Sequence, residues 1–291
     1  MKKSKLYPWY FAIGALAIYS LLYVLPGIIG IGYSFTDWSS YSDKVNFVGL
    51  DNFKQVFSAD ENYLKYILNT LLFTVVTTIA KTGLGLLFAV MLSKKIKFKN
   101  FHRGVMYLPS VLSILIIGLV FTSILNPKTG ILNGALSAVG LDALTQKWLT
   151  DPNIAFFSVM GVDIWRGTGY IMTLLLVAVL AVPKVYYEAA GIDGANAFQR
   201  FRKITLPMIR PTLAVTIVLN VLYGMKVFDM VYALTNGGPG HVTEVMYTAV
   251  FKQFSQGMYA IGTTISSIMF VFMVIVGFFL IQILTKDEVQ E

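Results

Sequence analysis

The stretch PKVYYEAAGIDGANAFQRFRKITLPMIRP, Pro183–Pro211, is a polar island between two long apolar runs, and its reading settles the architecture around it. Pro183 suits the first turn of a helix and Gly194 the position just past a helix end, which places a short helix over Glu188, Ala189 and Ala190. Asn196 suits an N-cap, with Gln199 three residues on in capping-box register. The second helix is expected to stop near Ile204, ahead of Pro207. The pattern is a helix–turn–helix outside the bilayer, with a small-residue face at Ala189, Ala190 and Gly191. By local physics alone it also reads as an amphipathic connector whose Arg200, Arg202 and Lys203 rest on anionic lipid headgroups.

Outward from this island, the flanking runs are Ile154–Val182 and Pro211–Leu234, each long enough to cross the roughly 30 Å hydrocarbon core, which takes about 20 residues. Four more stretches qualify: Trp9–Phe35, Ile67–Leu92, Val105–Leu125 and Gly262–Leu284. None alternates with the period of two that marks a barrel strand. The first is too long for a signal-peptide core, and no small-x-small cleavage site follows it, so it is expected to stay as an anchor. The expected fold class is an all-α membrane protein with six transmembrane helices. Residues 9–284 form the transmembrane domain, 183–210 its large polar loop, and 1–8 and 285–291 short tails.

Composition agrees. The chain has 291 residues, 56% hydrophobic and 13% charged, about half the charge of an ordinary soluble domain, which carries roughly 25%. With no cysteine, a disulfide scaffold is excluded, as is disorder by the hydrophobicity. The net charge of +8 resolves by position. Fourteen of the Lys and Arg residues fall in the N-terminus, Ser93–Gly104, Pro183–Arg210 and the C-terminal tail, against six in the alternate loops. By the positive-inside rule both termini and the Pro183–Arg210 loop are cytoplasmic. The excess is an orientation signal in a cell membrane, with no nucleic-acid footprint left to explain.

Enzyme chemistry finds no purchase. No phosphate-cradling G-x-x-x-x-G-K-[ST] stretch occurs, the two histidines, His102 and His241, sit in different loops, and thiolate chemistry is impossible without cysteine. No cofactor or metal is expected. The chain moves or binds something.

The polar island then identifies a resemblance. Glu188-Ala189-Ala190, Gly194, Ile204, Leu206 and Pro207 stand at the fixed offsets of the pattern E-A-A-x3-G-x9-I-x-L-P. This resembles the cytoplasmic loop of permease subunits from binding-protein-dependent ABC importers. Ser34-Phe35-Thr36-Asp37-Trp38, Phe47–Phe53, Asn69-Thr70-Leu71, Tyr107-Leu108-Pro109 and Leu234–Gly240 are similar to the first of two unlike permeases in sugar importers. The resemblance implies the ABC importer permease fold and a prokaryotic cytoplasmic membrane. As partners it implies a second, non-identical six-helix permease, two ATP-binding-cassette ATPase subunits, an extracytoplasmic solute-binding protein and a sugar, an oligosaccharide foremost. It further implies that Glu188, Ala189, Ala190, Gly191, Gly194, Ile204, Leu206 and Pro207 dock on an ATPase that hydrolyses the ATP, the chain itself hydrolysing none.

Five charges lie inside the spans. Lys81 is roughly 16 Å from the nearer end of its span at 1.5 Å per residue, too deep to snorkel, and in lipid it would cost at least ~2.5–3.5 kcal/mol. Asp163 and Arg166, and likewise Lys226 and Asp229, are three apart and could each close on their own helix. Alternatively Asp163 or Asp229 neutralises Lys81 between helices. In a third reading some of these line a translocation path with Asn69, Trp165, Tyr170, Asn220 and Tyr223, whose amides, hydroxyls and rings suit sugars. The competing function is an ion-gradient-driven secondary transporter with Lys81, Asp163 and Asp229 as a proton relay. A membrane scaffold without transport is a third.

Overall fold

A computed structural model describes residues 10–58 and 62–285. Residues 1–9, 59–61 and 286–291 lie outside the described residues, and with them the N-terminal tail, Asp60, Glu61 and most of the C-terminal tail. The elements are helical: α1 (Phe11–Tyr19), a π turn (Ser20–Val24), α2 (Leu25–Tyr33), α3 (Asp51–Val56), α4 (Tyr63–Ser93), α5 (Lys99–Val111), α6 (Ile114–Ile124), α7 (Ile131–Ala138) and α8 (Ala155–Ala181). There follow α9 (Lys184–Ile192), α10 (Ala197–Arg200), a second π turn (Phe201–Thr205), α11 (Leu206–Met208), α12 (Arg210–Met225), α13 (Asp229–Thr235), α14 (Met246–Ser255) and α15 (Tyr259–Thr285). Among the described residues the only strand-like pairing is an isolated bridge between Thr36 and Phe47, and the protein is all-α.

Four helical segments are long and apolar enough to cross a bilayer: Ala12–Tyr33, α4, α8 and Tyr259–Leu280. Two bent pairs bring the number up to six when each is taken as one span. One pair is α5 with α6, bent by 97°, so the expected helix Val105–Leu125 is broken. Leu112 and Ser113 both take extended backbone there, three and four residues after Pro109, which has no N–H to continue the ladder. The other pair is the α10–α11 run with α12, bent by 71°. The expected run Pro211–Leu234 is also interrupted. α12 ends at Met225, and α13 restarts at Asp229 as a separate helix after Phe228 leaves helical geometry (φ −140°).

Both π turns precede a proline. In Ser20–Val24 the N–H of Leu25 bonds Ser20 O, and in Phe201–Thr205 the N–H of Leu206 bonds Phe201 O. Pro26 and Pro207 each follow directly. A proline inside an α-helix loses one bond and clashes with the carbonyl four residues back. The wider i to i+5 turn is one of the few features that lets a helix absorb such a fault. This corrects the expected stop near Ile204, because the helix runs through Pro207 to Met208.

The chain forms two compact units, residues 1–64 with 249–271, and 65–248 with 272–291. In the first, the loop after α2 is tied by main-chain bonds. Asn52 donates its amide to Ser34 O at 2.9 Å and Thr36 O at 2.7 Å. Ser40 N–H reaches Gly257 O and Ala260 N–H reaches Trp38 O. Trp38 stacks on Tyr33 at 4.2 Å and lies 4.7 Å from Tyr259.

The second unit carries the larger core, in which Phe73, Ile117, Val159, Met160, Met230 and Val231 are buried together. Its helices touch through glycines, as membrane helices do when small residues let backbones approach. A Cβ on Gly85 would meet Ile171 on α8, one on Gly169 would meet the Met106 carbonyl on α5, and one on Gly224 would meet Thr74 on α4.

In the first unit Asp37 accepts from the Asn46 side chain at 2.9 Å and from its N–H at 2.6 Å. These bonds hold the Asp37 carboxyl below the ordinary aspartate value, the side-chain bond contributing most. A group with a lowered folded pKa gives its support above its unfolded pKa and loses it as pH falls through the folded one. We therefore expect the Asp37–Asn46 closure to be intact at neutral pH and to open only in acid. Carboxyl chemical-shift titration of labelled aspartate checks this, and a midpoint at or above the free-aspartate value contradicts it.

Candidate functional site

Two places in the chain gather the residues singled out by the sequence. The first is the polar hairpin. α9 ends at Ile192 and Gly194 takes φ +72°, the left-handed geometry that a residue with a Cβ rarely adopts. Ala195 N–H then closes on Ala190 O at 2.8 Å, an αL helix stop. Asn196 caps α10 and forms the full capping box with Gln199, the two bonds measuring 2.9 and 2.8 Å. Tyr187 Oη and Thr205 Oγ1, 2.8 Å apart, pin α9 to the π turn.

Within this hairpin Glu188, Ala189, Gly191, Gly194 and Pro207 are exposed and Ala190 is half-buried. Ile204 instead packs inward against Val179, Val182 and Ile209, and Leu206 is half-buried beside it. The sequence reading missed the apolar part of this surface. Ile192 is 89% and Phe198 67% exposed. Their signal was available, since a large apolar side chain on a hydrated loop with no core to enter asks for a partner.

The second place is a cavity of about 270 Å³ lined by Lys81, Ser110, Arg166, Tyr170, Asn220 and Tyr223, with Gly167 in its wall. Lys81 is 2% exposed and Asp163 fully buried, and their side chains form an ion pair between α4 and α8. Tyr223 from α12 donates its hydroxyl to Asp163 Oδ1 at 2.9 Å, and its ring lies under the Lys81 ammonium, 4.5 Å from Nζ to the centroid. Such a cation–π contact strengthens as water is removed. Asn220, one turn before Tyr223, reaches Thr82 Oγ1 at 3.4 Å. Gly167 makes the pair sterically feasible, because a Cβ there would stand 2.8 Å from Lys81 Cε.

The pairing is thus between helices. Asp163 turns to Lys81, and Arg166 makes no ion pair among the described residues. Lys226 and Asp229, expected to close on one helix, are instead both exposed, at the end of α12 and the start of α13. The break between those helices separates them.

Trp165 faces another cavity, with Phe121 5.1 Å away ring to ring. It is two residues out of register with the Asp163–Tyr170 face. Asn69 holds the Val242 and Glu244 carbonyls, at 3.0 and 2.8 Å. It is a clamp on the loop after α13 and does not line the Lys81 cavity. No group of three metal-ligating side chains occurs among the described residues.

The pair can be tested directly. Asp163→Asn leaves Lys81 buried without its counter-ion, and breaking such a pair typically costs about 3–5 kcal/mol. We expect a large drop in the thermal midpoint of the purified protein, and recovery in the double substitution Lys81→Met with Asp163→Leu. A single variant as stable as the parent would show that the ion pair does not hold α4 to α8.

A family described as the binding-protein-dependent transport system inner membrane component matches residues 81–287. A probable ABC transporter permease protein, YurN of Bacillus subtilis, is 35% identical over 274 residues, 93% of each chain. The trehalose/maltose transport system permease protein MalF of Thermococcus litoralis is 35% identical over 265 residues, 89% of each chain. The chain is also similar to a solved structure, that of a bacterial alginate ABC transporter in complex with an alginate pentasaccharide-bound periplasmic protein. Its matching chain superimposes with a TM-score of 0.82 at 26% identity, covering 94% of this chain and 93% of its own.

Proposed function

The chain belongs to the binding-protein-dependent transport system inner membrane component family, and from that membership we propose that it is the membrane-spanning permease of an ATP-driven importer for a carbohydrate, an oligosaccharide by preference. Six spans cross the membrane with both termini inside. A second, non-identical permease completes the channel, two ATPase subunits dock on the cytoplasmic face, and an extracytoplasmic binding protein delivers the solute. The sugar-transporting relatives named above support the solute class.

One observation carries the coupling. The exposed hairpin of α9 to α11 leads directly into α12, and α12 holds Asn220 and Tyr223 at the cavity. Asn220 is ten residues from Arg210, roughly 15 Å along the helix at 1.5 Å per residue. A push on the hairpin therefore arrives at the cavity through one rigid element with a bend at its base.

Small residues on α9 let an ATPase surface approach, Glu188 orients it by charge, and Ile192 and Phe198 supply the apolar anchors. When the ATPases close on ATP, the hairpin moves with them and α12 shifts against α4 and α8. Lys81, Asp163 and Tyr223 sit at that three-helix junction. Tyr170, Asn220 and Tyr223 present an amide, hydroxyls and aromatic faces to a sugar. Trp165, Lys226 and Asp229 lie off this cavity and take no part in it here.

An ion-gradient relay through Lys81, Asp163 and Asp229 is the competing reading. It is disfavoured because Asp163 is engaged by Lys81 and Tyr223 on α4 and α12, while Asp229 is exposed beyond the helix break.

The experiment is uptake by proteoliposomes holding this chain with its partner subunits and binding protein, with and without enclosed ATP. Uptake should require ATP and survive collapse of ion gradients. Gradient-dependent, ATP-independent uptake would overturn the reading. Gly194→Arg, which fills the left-handed turn with a long side chain at the docking surface, should abolish solute-stimulated ATP hydrolysis while the complex still assembles. Normal stimulation in that variant would sink the docking assignment.

A further inference from the structure

The cavity is lined by two cations, Lys81 and Arg166, and the carboxylate behind Lys81, that of Asp163, is already engaged on both oxygens. Asp163 Oδ2 faces Lys81 and Oδ1 accepts from Tyr223. Arg166, one turn further along α8 on the same wall, makes no ion pair among the described residues, and its Nε is buried with no hydrogen-bond partner. A guanidinium keeps its charge at any physiological pH and presents five donors in a planar fork. A buried donor left unmade costs about 1–3 kcal/mol, and an uncompensated charge in a membrane-embedded cavity costs more. The arrangement thus carries one positive charge in excess, on the side chain best shaped to grip a carboxylate or phosphate with two parallel bonds.

The rest of the wall fits the same occupant. Ser110 and Tyr170 bring hydroxyls, and Asn220 an amide, around the guanidinium. These are neutral partners for sugar hydroxyls, and none of them can balance the charge. At about 270 Å³ the space is small beside the roughly 300–1,000 Å³ of sites that enclose a whole ligand. It therefore takes one unit of a solute at a time.

We propose that this cavity selects carbohydrate bearing an oxyanion. A carboxylate or phosphate group on the sugar docks on Arg166, while Ser110, Tyr170 and Asn220 read the hydroxyls of the same unit. Lys81 stays paired with Asp163 and sets the floor of the site. The inference rests on the reading of this cavity as the solute path and deepens it by naming the charge of the solute.

The test uses the complete importer complex in nanodiscs and three probes: digalacturonic acid, glucose 6-phosphate and maltose. Affinity is read from the ligand-dependent shift of the thermal midpoint. Digalacturonate or the sugar phosphate should bind the parent more tightly than maltose. Whichever binds better tells carboxylate from phosphate. Arg166→Gln should weaken the acidic probes by about tenfold or more, the worth of a charge-assisted hydrogen bond, and leave maltose unchanged. Arg166→Lys, which keeps the charge without the fork, should retain part of the preference and serves as the folding control.

The proposal is overturned if maltose binds as well as the acidic probes, if neither acidic probe binds, or if Arg166→Gln leaves their affinity unchanged. Asn220→Ala separates the two levels. Weaker binding of every probe in that variant, without charge preference in the parent, removes the anion inference and keeps the solute path. Unchanged binding in both variants removes both.

Discussion

A lysine in the middle of a membrane helix must be neutralised inside the protein, and the interior of this chain is arranged around meeting that demand for Lys81. Its ammonium lies far from either end of α4, where no snorkelling reaches water. Asp163 on α8 supplies the counter-charge, Tyr223 on α12 supplies both a hydrogen bond to that carboxylate and a ring face for the cation, and Gly167 leaves room for the stem. One charge thus fixes the relative placement of three helices. The same close approaches recur away from the charge, at Gly85, Gly169 and Gly224, so that the junction is held by packing as well as by electrostatics.

Around that rigid junction the fold is interrupted where motion would be needed. α12 is joined to the polar hairpin by a 71° bend at Ile209 and ends after sixteen residues at an irregular three-residue link. The π turn of Phe201–Thr205 lets helix continue through Pro207, so the hairpin is a stiff continuation rather than a loose loop. A helix break at membrane depth is tolerated only where protein or a water-filled path covers it. Lys226 and Asp229, exposed at the break after α12, fall under that rule and do not line the Lys81 cavity.

Much of this was legible in the sequence because the signals were local or steeply priced by the bilayer. Apolar runs of span length identified the four long apolar helices, and the capping box at Asn196 and the helix stop at Gly194 follow from chemistry within four residues. The offsets from Glu188 to Pro207 carry the family resemblance in the sequence itself. Illegible were the properties set between elements. Composition does not reveal that Leu112 and Ser113 turn Val105–Leu125 through 97°, or that a π turn carries helix through Pro207. Spacing offered Asp163 two partners of opposite merit, Arg166 on its own helix and Lys81 on another, and only packing decides between them. Asn69 and Trp165 have the right chemistry for a sugar, but their positions along α4 and α8 aim them elsewhere.

The central claim is that the cavity beside Lys81 and Asp163 is a solute path opened alternately to the two sides by the ATPases acting through α12. The chain has no cysteine, so a thiol placed by Tyr170→Cys is the single one this chain presents, and labelling is read on this chain after the subunits are separated. In the reconstituted importer, the rate of labelling by a membrane-impermeant maleimide is measured from each side, without nucleotide and with ATP held unhydrolysed. The account predicts that labelling moves from one side of the membrane to the other between these two states and is slowed by bound solute. Labelling that is absent from both sides in both states, or that is indifferent to nucleotide, would contradict it.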